Sequence, residues 1–357
     1  MPFVPHPSST FSRRSFLARS AATMAAATAG PVLLTACNSP AAGSGKGDAV
    51  TFLSYLPLET LSLTPELLGV TGGHFEKHGL DVTLQPVKGS PQAMQTLLAD
   101  KGIITRLGQI DVMTAVAEAK QPLVNIGTLT RGSSLRFLYS KNSPLKKPED
   151  FLGKTMGVPS EGGTSDKVVS LVMADAGLDP DKVKRQVVGL TPGTYTLVQQ
   201  GRLAGYVVSI DTANVVLSQH DDAAVFDPGT IVKSDSQVYV ATKDAIDKHG
   251  DTLKAFLAGI TDAVNAITDD KSLDKTLDTL RGEYSFASLN DDDIAKKSLR
   301  ELYKLWTGID ASKPLLFTDE AAWAKGYAEL TDANLAKAGA DAGSWVDNSL
   351  LPKGGAQ

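Results

Sequence analysis

The chain has 357 residues, 40 of them acidic and 35 basic, a formal net charge of −5 and one cysteine. The acidic balance argues against nucleic acid as a partner, because such binding relies on basic residues neutralising phosphates, and a lone cysteine excludes an internal disulfide or a thiolate metal cluster. The length permits one large domain or two medium ones.

In chain order, the first element is a leader. Arg13 and Arg14 are followed by Ser15, Phe16 and Leu17, and residues 20–36 are uncharged and rich in alanine. A positive start, an apolar stretch and small residues before a cut are what an export signal needs. The arginine pair and its flanks resemble the twin-arginine signal. Leu34, Thr35, Ala36 and Cys37 resemble the bacterial lipobox, whose thiol carries a diacylglyceryl group. The resemblance implies that residues 1–36 are a twin-arginine lipoprotein signal peptide and that a lipidated Cys37 begins the mature chain. The competing reading is a transmembrane anchor with an incidental cysteine. A span needs about 20 strongly apolar residues, and this run is shorter and dominated by alanine. Removing residues 1–36 takes away three arginines and no acid, which moves the charge from −5 to −8. Residues 37–48 are low in apolar content and read as a flexible tether.

From Val50 onward, short apolar or alternating runs (residues 50–54, 82–87 and 155–159) alternate with helical segments to about Ala241. That alternation predicts an α/β fold with mainly parallel sheets. One unit occurs twice. Ser90 and Pro91 lead into a helix with Leu97 and Leu98, a break at Gly102, a strand and then Asp111. Thr191 and Pro192 lead into a helix with Leu197 and Val198, a break at Gly201, a strand and then Asp211. In each copy the hydroxyl can cap the helix while proline takes its first turn. Two ordinary strand–helix units can also look alike by chance.

Residues 160–166, SEGGTSD, follow a strand and precede a helix, so backbone N–H groups point outward there and can hold a small anion or polar group. The competing reading is a turn and cap with no ligand. After Ala241 the chain becomes helical. Leu253, Phe256, Leu257, Ile260, Val264 and Ile267 form one buried stripe. Asn290 and the three aspartates after it start a helix carrying Leu299, Leu302 and Trp306, and residues 318–320 start another. These helices are expected to pack on the first lobe.

The run from His74 to Val82 (HFEKHGLDV), residues 143–158 (SPLKKPEDFLGKTMGV) and residues 176–180 (AGLDP) resemble the solute-binding proteins of ABC importers, in particular the group that binds sulfonates, taurine, nitrate or thiamine-precursor pyrimidines. The resemblance covers about residues 50–330. It departs at residues 105–109 (TRLGQ), where relatives have a more apolar strand. It implies an α/β, two-lobed periplasmic-binding-protein (type II) fold with two crossover strands, near residues 131–139 and 226–239, and extra C-terminal helices. Lobe 1 is then 49–133 with 232–357, and lobe 2 is 134–231. A ligand-binding cleft would be lined by Ser54, Tyr55, Leu56, Gly89 and Ser90, by Thr130 and Arg131 at the first crossing, by Gly162, Gly163 and Thr164, and by Asp211. Arg131 would attract a carboxylate or sulfonate, or brace the hinge instead. Asp211 would accept from an amine or ring N–H, or cap a helix. Tyr55 would offer a ring face with a polar tip, or be an ordinary core tyrosine.

Enzyme readings have less support. His74 and His78 share a helix spacing but lack a third metal ligand, and no serine elbow of the G-x-S-x-G type is found. The same two-lobed fold also serves enzymes that make the thiamine pyrimidine, and these are expected to carry a cysteine cluster that this chain lacks. A scaffold or adhesion lipoprotein would need no cleft. The resemblance therefore implies no catalytic residues, no cofactor and no metal. It implies an exported monomer, lipid-anchored through Cys37 to the outer face of the cytoplasmic membrane, that gives a small polar or anionic solute to an ABC permease.

Overall fold

A computed structural model of the chain describes residues 47–308 and 312–352; the leader, Cys37 and the tether up to residue 46 lie outside the described residues. Ten strands form two sheets of five. The first sheet holds β1 (Asp48–Ser54), β2 (Leu80–Pro86), β3 (Ile104–Gly108), β4 (Leu123–Thr130) and β10 (Gln237–Thr242), in the order β2-β1-β3-β10-β4. The second holds β5 (Leu135–Ser140), β6 (Thr155–Val158), β7 (Lys184–Val187), β8 (Gly205–Ser209) and β9 (Ala223–Phe226), in the order β7-β6-β8-β5-β9. The two orders are the same once β6 is matched to β1. In each sheet the fourth place is taken by a strand that runs antiparallel to both neighbours, β10 or β5. Each of these strands enters directly from the other lobe. The chain therefore crosses twice, at residues 131–134 and 227–236.

Helices fill the remaining connections. They are α1 (Thr64–Thr71), α2 (Gly89–Leu98), α3 (Gln109–Ala119), α4 (Thr164–Asp175), α5 (Tyr195–Gln199) and α6 (Ile210–Gln219), followed by α7 (Lys243–Asp269), α8 (Asp274–Arg281), α9 (Ala287–Asn290), α10 (Asp292–Thr307) and α11 (Glu320–Asp332). The duplicated sequence unit occupies equivalent places, as β2-α2-β3-α3 and β7-α5-β8-α6. Neither Ser90 nor Thr191 caps its helix through its side chain. Both line the space between the lobes instead. The caps that do form are aspartates and a threonine. Asp291 accepts from Ile294 N and Asp319 from Ala322 N, while Thr242 Oγ1 accepts from Ala245 N.

The stripe from Leu253 to Ile267 lies on α7 and is fully buried against lobe 1. Helix α10 does more than pack on lobe 1. Its Ser298 accepts a 2.9 Å hydrogen bond from Asn214 on α6 of lobe 2, so the C-terminal segment spans both lobes. No described helix is long and apolar enough to cross a membrane.

The polar residues in β3 have a structural reason. Arg106 is fully buried and donates to both Glu66 oxygens at 2.9 and 3.0 Å and to Ser62 O at 2.9 Å. Tyr239 on β10 donates to the same carboxylate at 2.8 Å. Burial alone would lower the Arg106 pKa, but Glu66, Tyr239 and Tyr55 together outweigh it and hold the pKa above its usual value. The pair ties α1 to β3 beneath the loop that follows β1. Removing one partner leaves a buried charge uncompensated. Arg106→Met should therefore cost about 3–5 kcal/mol, read as a shift in urea-unfolding midpoint; a loss under about 1 kcal/mol would contradict the account.

Candidate functional site

The loops at the C-terminal ends of the parallel strands meet across the gap between the sheets. A cavity of about 300 Å³ lies there. Lobe 1 contributes the loop after β1 from Tyr55 to Ser62, together with Gly89, Ser90 and the start of α9 from Phe286 to Ser288. Lobe 2 contributes Pro159, Ser160, Thr164 and Ser165, the turn at Leu190 to Pro192, and Val207, Val208, Ser209 and Thr212 at the β8–α6 junction. Ser134, Asp235 and Gln237 come from the crossings and the strand after them. Leu56, Leu135, Val207 and Phe286 make apolar wall, and hydroxyls from both lobes stud it. Among the described residues the lining holds two carboxylates, Glu59 and Asp235, and no Lys, Arg or His.

The lobes are locked together around this cavity by two aspartates in matching positions. Asp111, in the first turn of α3 in lobe 1, accepts from Thr164 N at 3.0 Å and Thr164 Oγ1 at 2.6 Å, at the start of α4 in lobe 2. Lys167 adds a 2.8 Å ion pair. Asp211, in the first turn of α6 in lobe 2, accepts from Thr60 Oγ1 at 2.9 Å and Leu61 N at 3.0 Å, at the start of the turn that enters α1 in lobe 1. Ser209 and Ser288 complete its shell at 2.6 and 2.8 Å. Each carboxylate thus lies between the N-terminus of its own helix and one from the opposite lobe, where unpaired N–H groups and the helix dipole favour negative charge. The approach is close enough to require glycines. A Cβ on Gly108 would overlap the Thr164 hydroxyl, and one on Gly89 (φ +74°) would come within 2.6 Å of Ser160 Oγ.

Of the residues expected from the sequence, the structure gathers Tyr55, Leu56, Gly89, Ser90 and Thr164 around the cavity. The others stand outside its lining. Ser54 turns its hydroxyl onto Leu56 O at 2.7 Å. Thr130 Oγ1 accepts from Gln237 N at 2.8 Å, joining the two crossings. Arg131 points away, donating to the carbonyls of Trp306, Leu315 and Phe317 at 3.1, 2.8 and 2.9 Å, and its burial brings its pKa down to about 10. Its hydrogen bonds brace lobe 1. Gly162 supplies an N–H to Asp166 at 2.9 Å and Gly163 precedes α4. The helix start where a ligand anion was expected is occupied by Asp111 of the opposite lobe. Asp211 is fully buried in its cap. His78 pairs with Asp262 at 2.9 Å, and no set of three or more His, Cys, Asp or Glu among the described residues is placed to hold a metal ion.

Asp235 and Gln237 were not foreseen. Asp235 is 3% exposed and receives the Ser133 hydroxyl. Gln237 Nε2 donates to Ser134 Oγ at 3.0 Å. Glu329 on α11 braces this crossing, accepting from Lys233 N and Ser234 N at 3.1 and 2.7 Å. Desolvation pushes the Asp235 carboxyl up to about 6; the Ser133 bond pulls down, and the negative charges of Asp111, Glu329 and Asp227 push up. Burial also raises Tyr55 above the usual phenol range, opposed by Arg106 and helped by Asp235.

A family model described as NMT1/THI5 like matches residues 61–271. The riboflavin-binding protein RibY of Chloroflexus aurantiacus is 22% identical over 345 residues, 90% of each chain. The alkanesulfonate-binding protein SsuA of Xanthomonas axonopodis pv. citri, bound to MOPS, superposes with a TM-score of 0.66 at 11% identity, over 85% of this chain and 99% of its own. The desulfurization enzyme DSZB superposes with a TM-score of 0.56 at 12% identity, over 85% and 97%. The chain has the two-lobed fold of periplasmic binding proteins.

A raised carboxyl binds its proton more tightly in the folded state, so its stabilising share is complete below the unfolded pKa and is lost as pH climbs through about 6. Wild type should therefore lose roughly 2 kcal/mol between pH 4 and 7 relative to Asp235→Asn, at about 1.4 kcal/mol per unit. Denaturant titrations of both proteins at the two pH values measure it. A pH-independent difference would contradict the burial of this group.

Proposed function

The chain belongs to the NMT1/THI5-like family, and from that premise we propose that it is an extracytoplasmic solute-binding protein of an ABC importer. It captures one small organic molecule between its lobes and presents the closed form to a permease. One observation carries the reading: a cavity walled by both lobes and, among the described residues, lined without a basic side chain. A ligand that touches both faces favours the closed arrangement by its differential contacts. In the open form Asp111 and Asp211 lose the opposite lobe's N–H and hydroxyl donors. The two latches therefore add to closure whatever the ligand is.

The lining also discriminates among the solutes expected from the sequence. Sulfonates and nitrate carry permanent negative charge, and burying such charge opposite Asp235 with no cation beside it is unfavourable. Nitrate would in addition leave most of a 300 Å³ space unfilled. A flat, largely apolar solute with hydrogen-bonding edges fits the mixture of aliphatic wall and hydroxyls. Flavins and pyrimidines are of that kind, and the likeness to a riboflavin-binding relative agrees with it. The protein works as a monomer, held to the outer face of the cytoplasmic membrane by a lipid on Cys37. An enzymatic role finds less support in the lining, which holds no histidine or cysteine to serve as nucleophile or base.

A thermal-shift panel of riboflavin, pyrimidines, alkanesulfonates and nitrate tests the proposal. Binding at roughly 100 times Kd adds about 2.7 kcal/mol to the native state. Saturable stabilisation by a flavin or pyrimidine, with no turnover, is the expected result. Product formation would replace a receptor by an enzyme, and a response confined to sulfonates or nitrate would refute the ligand class.

A further inference from the structure

The latches and the apolar walls leave one feature of the cavity unused. Asp235 lines it while almost fully buried, and the Ser133 hydroxyl engages only Oδ2. Among the described residues nothing donates to Oδ1. Two positions on, Gln237 spends its Nε2 on Ser134, and its Oε1 receives no donor from the described residues either. Both groups lie on the second crossing and its continuation, so they face the same space from one stretch of chain. The charged and titratable groups around Asp235 are Asp111, Glu329, Asp227 and Tyr55, and none of the lining side chains is basic.

These two oxygens face the cavity, where water can satisfy them, so a solute that displaces that water must bring a donor in its place or leave the acceptors unpaired. Hydroxyls of a solute already find matches in Ser90, Ser160 and Thr212, which both give and accept, while Ser209 and Ser288 spend their protons on Asp211. A carboxylate oxygen and an amide oxygen only accept, so each calls for a donor from the solute, and an N–H supplies one without bringing an acceptor that would need a partner of its own. We propose that Asp235 is the specificity-determining residue of the cavity, its free Oδ1 accepting a hydrogen bond from an N–H of the solute, with Gln237 Oε1 as a second acceptor beside it. The solute is then a compact, mostly apolar molecule with a nitrogen-bound proton at one edge, such as an imide, ring amide or protonated amine. This assignment rests on the cleft being a solute site, as read above.

Matched ligands test it without requiring any variant to fold. Riboflavin and thymine, each beside its N3-methyl derivative, are titrated calorimetrically into the wild-type protein, with ethanesulfonate and nitrate as donor-free anions. The N–H member of a binding pair should be tighter by at least roughly tenfold, the value of one charge-assisted hydrogen bond. In Asp235→Asn that gap should shrink by about the same factor, with the methylated ligand little changed. Equal affinities within a pair, a gap that Asp235→Asn leaves intact, or preference for ethanesulfonate or nitrate overturns the assignment while a receptor remains. Absence of saturable binding across the panel overturns the receptor reading, and the assignment falls with it.

Discussion

Two carboxylates hold this molecule in its observed form. Asp111 belongs to one lobe and caps the first helix of the other; Asp211, in the second lobe, accepts from the turn that leads into α1 of the first. Both sit at the third-strand exit of a duplicated unit, so the arrangement is nearly two-fold although the sequence around the two sites differs. A charge-assisted bond to a helix N-terminus is among the stronger polar contacts available to a protein. Here its partners lie on different bodies, so it contributes only when the bodies meet. Gly108 and Gly89 permit the approach, since side chains at those positions would collide with Thr164 and Ser160.

The latches also set the chemistry of the space they enclose. Helix N-termini converging on a cleft ordinarily make it attractive to anions. In this chain the converging termini are neutralised by its own aspartates, and the arginine nearest the first crossing is committed to three backbone carbonyls. What remains facing the solute is aliphatic surface, hydroxyls and the acceptors of the second crossing. On the proposed reading, such a lining suits a solute with hydrogen-bond donors better than an anion.

Much of this could be read in the sequence, for stated reasons. Alternating short apolar runs and helical segments give two sheets, and the paired Pro-to-Asp units mark the equivalent halves. Tyr55, Leu56, Gly89, Ser90 and Thr164 were placed by the family resemblance, and they fall in the loops after strands, where α/β folds place their clefts. The pairing of Glu66 with Arg106 was not, because 40 residues separate partners that only the sheet brings together. Arg131 could be placed at a crossing but not aimed, since its carbonyl acceptors come from a C-terminal segment more than 170 residues away. Asp235 and Gln237 escaped notice for a simpler reason. They sit in and just after an irregular crossing, where no hydrophobic period or glycine signature distinguishes an inward side chain from an outward one.

The central claim is that the two aspartates hold the lobes together. It is tested most directly by the distance between spin labels on exposed Lys101 and Arg202, one in each lobe, introduced as cysteines in a chain whose native Cys37 is replaced. In the ligand-free protein, Asp111→Asn combined with Asp211→Asn should shift the distribution toward longer separations relative to the parent. The same distribution with and without both carboxylates would contradict the account.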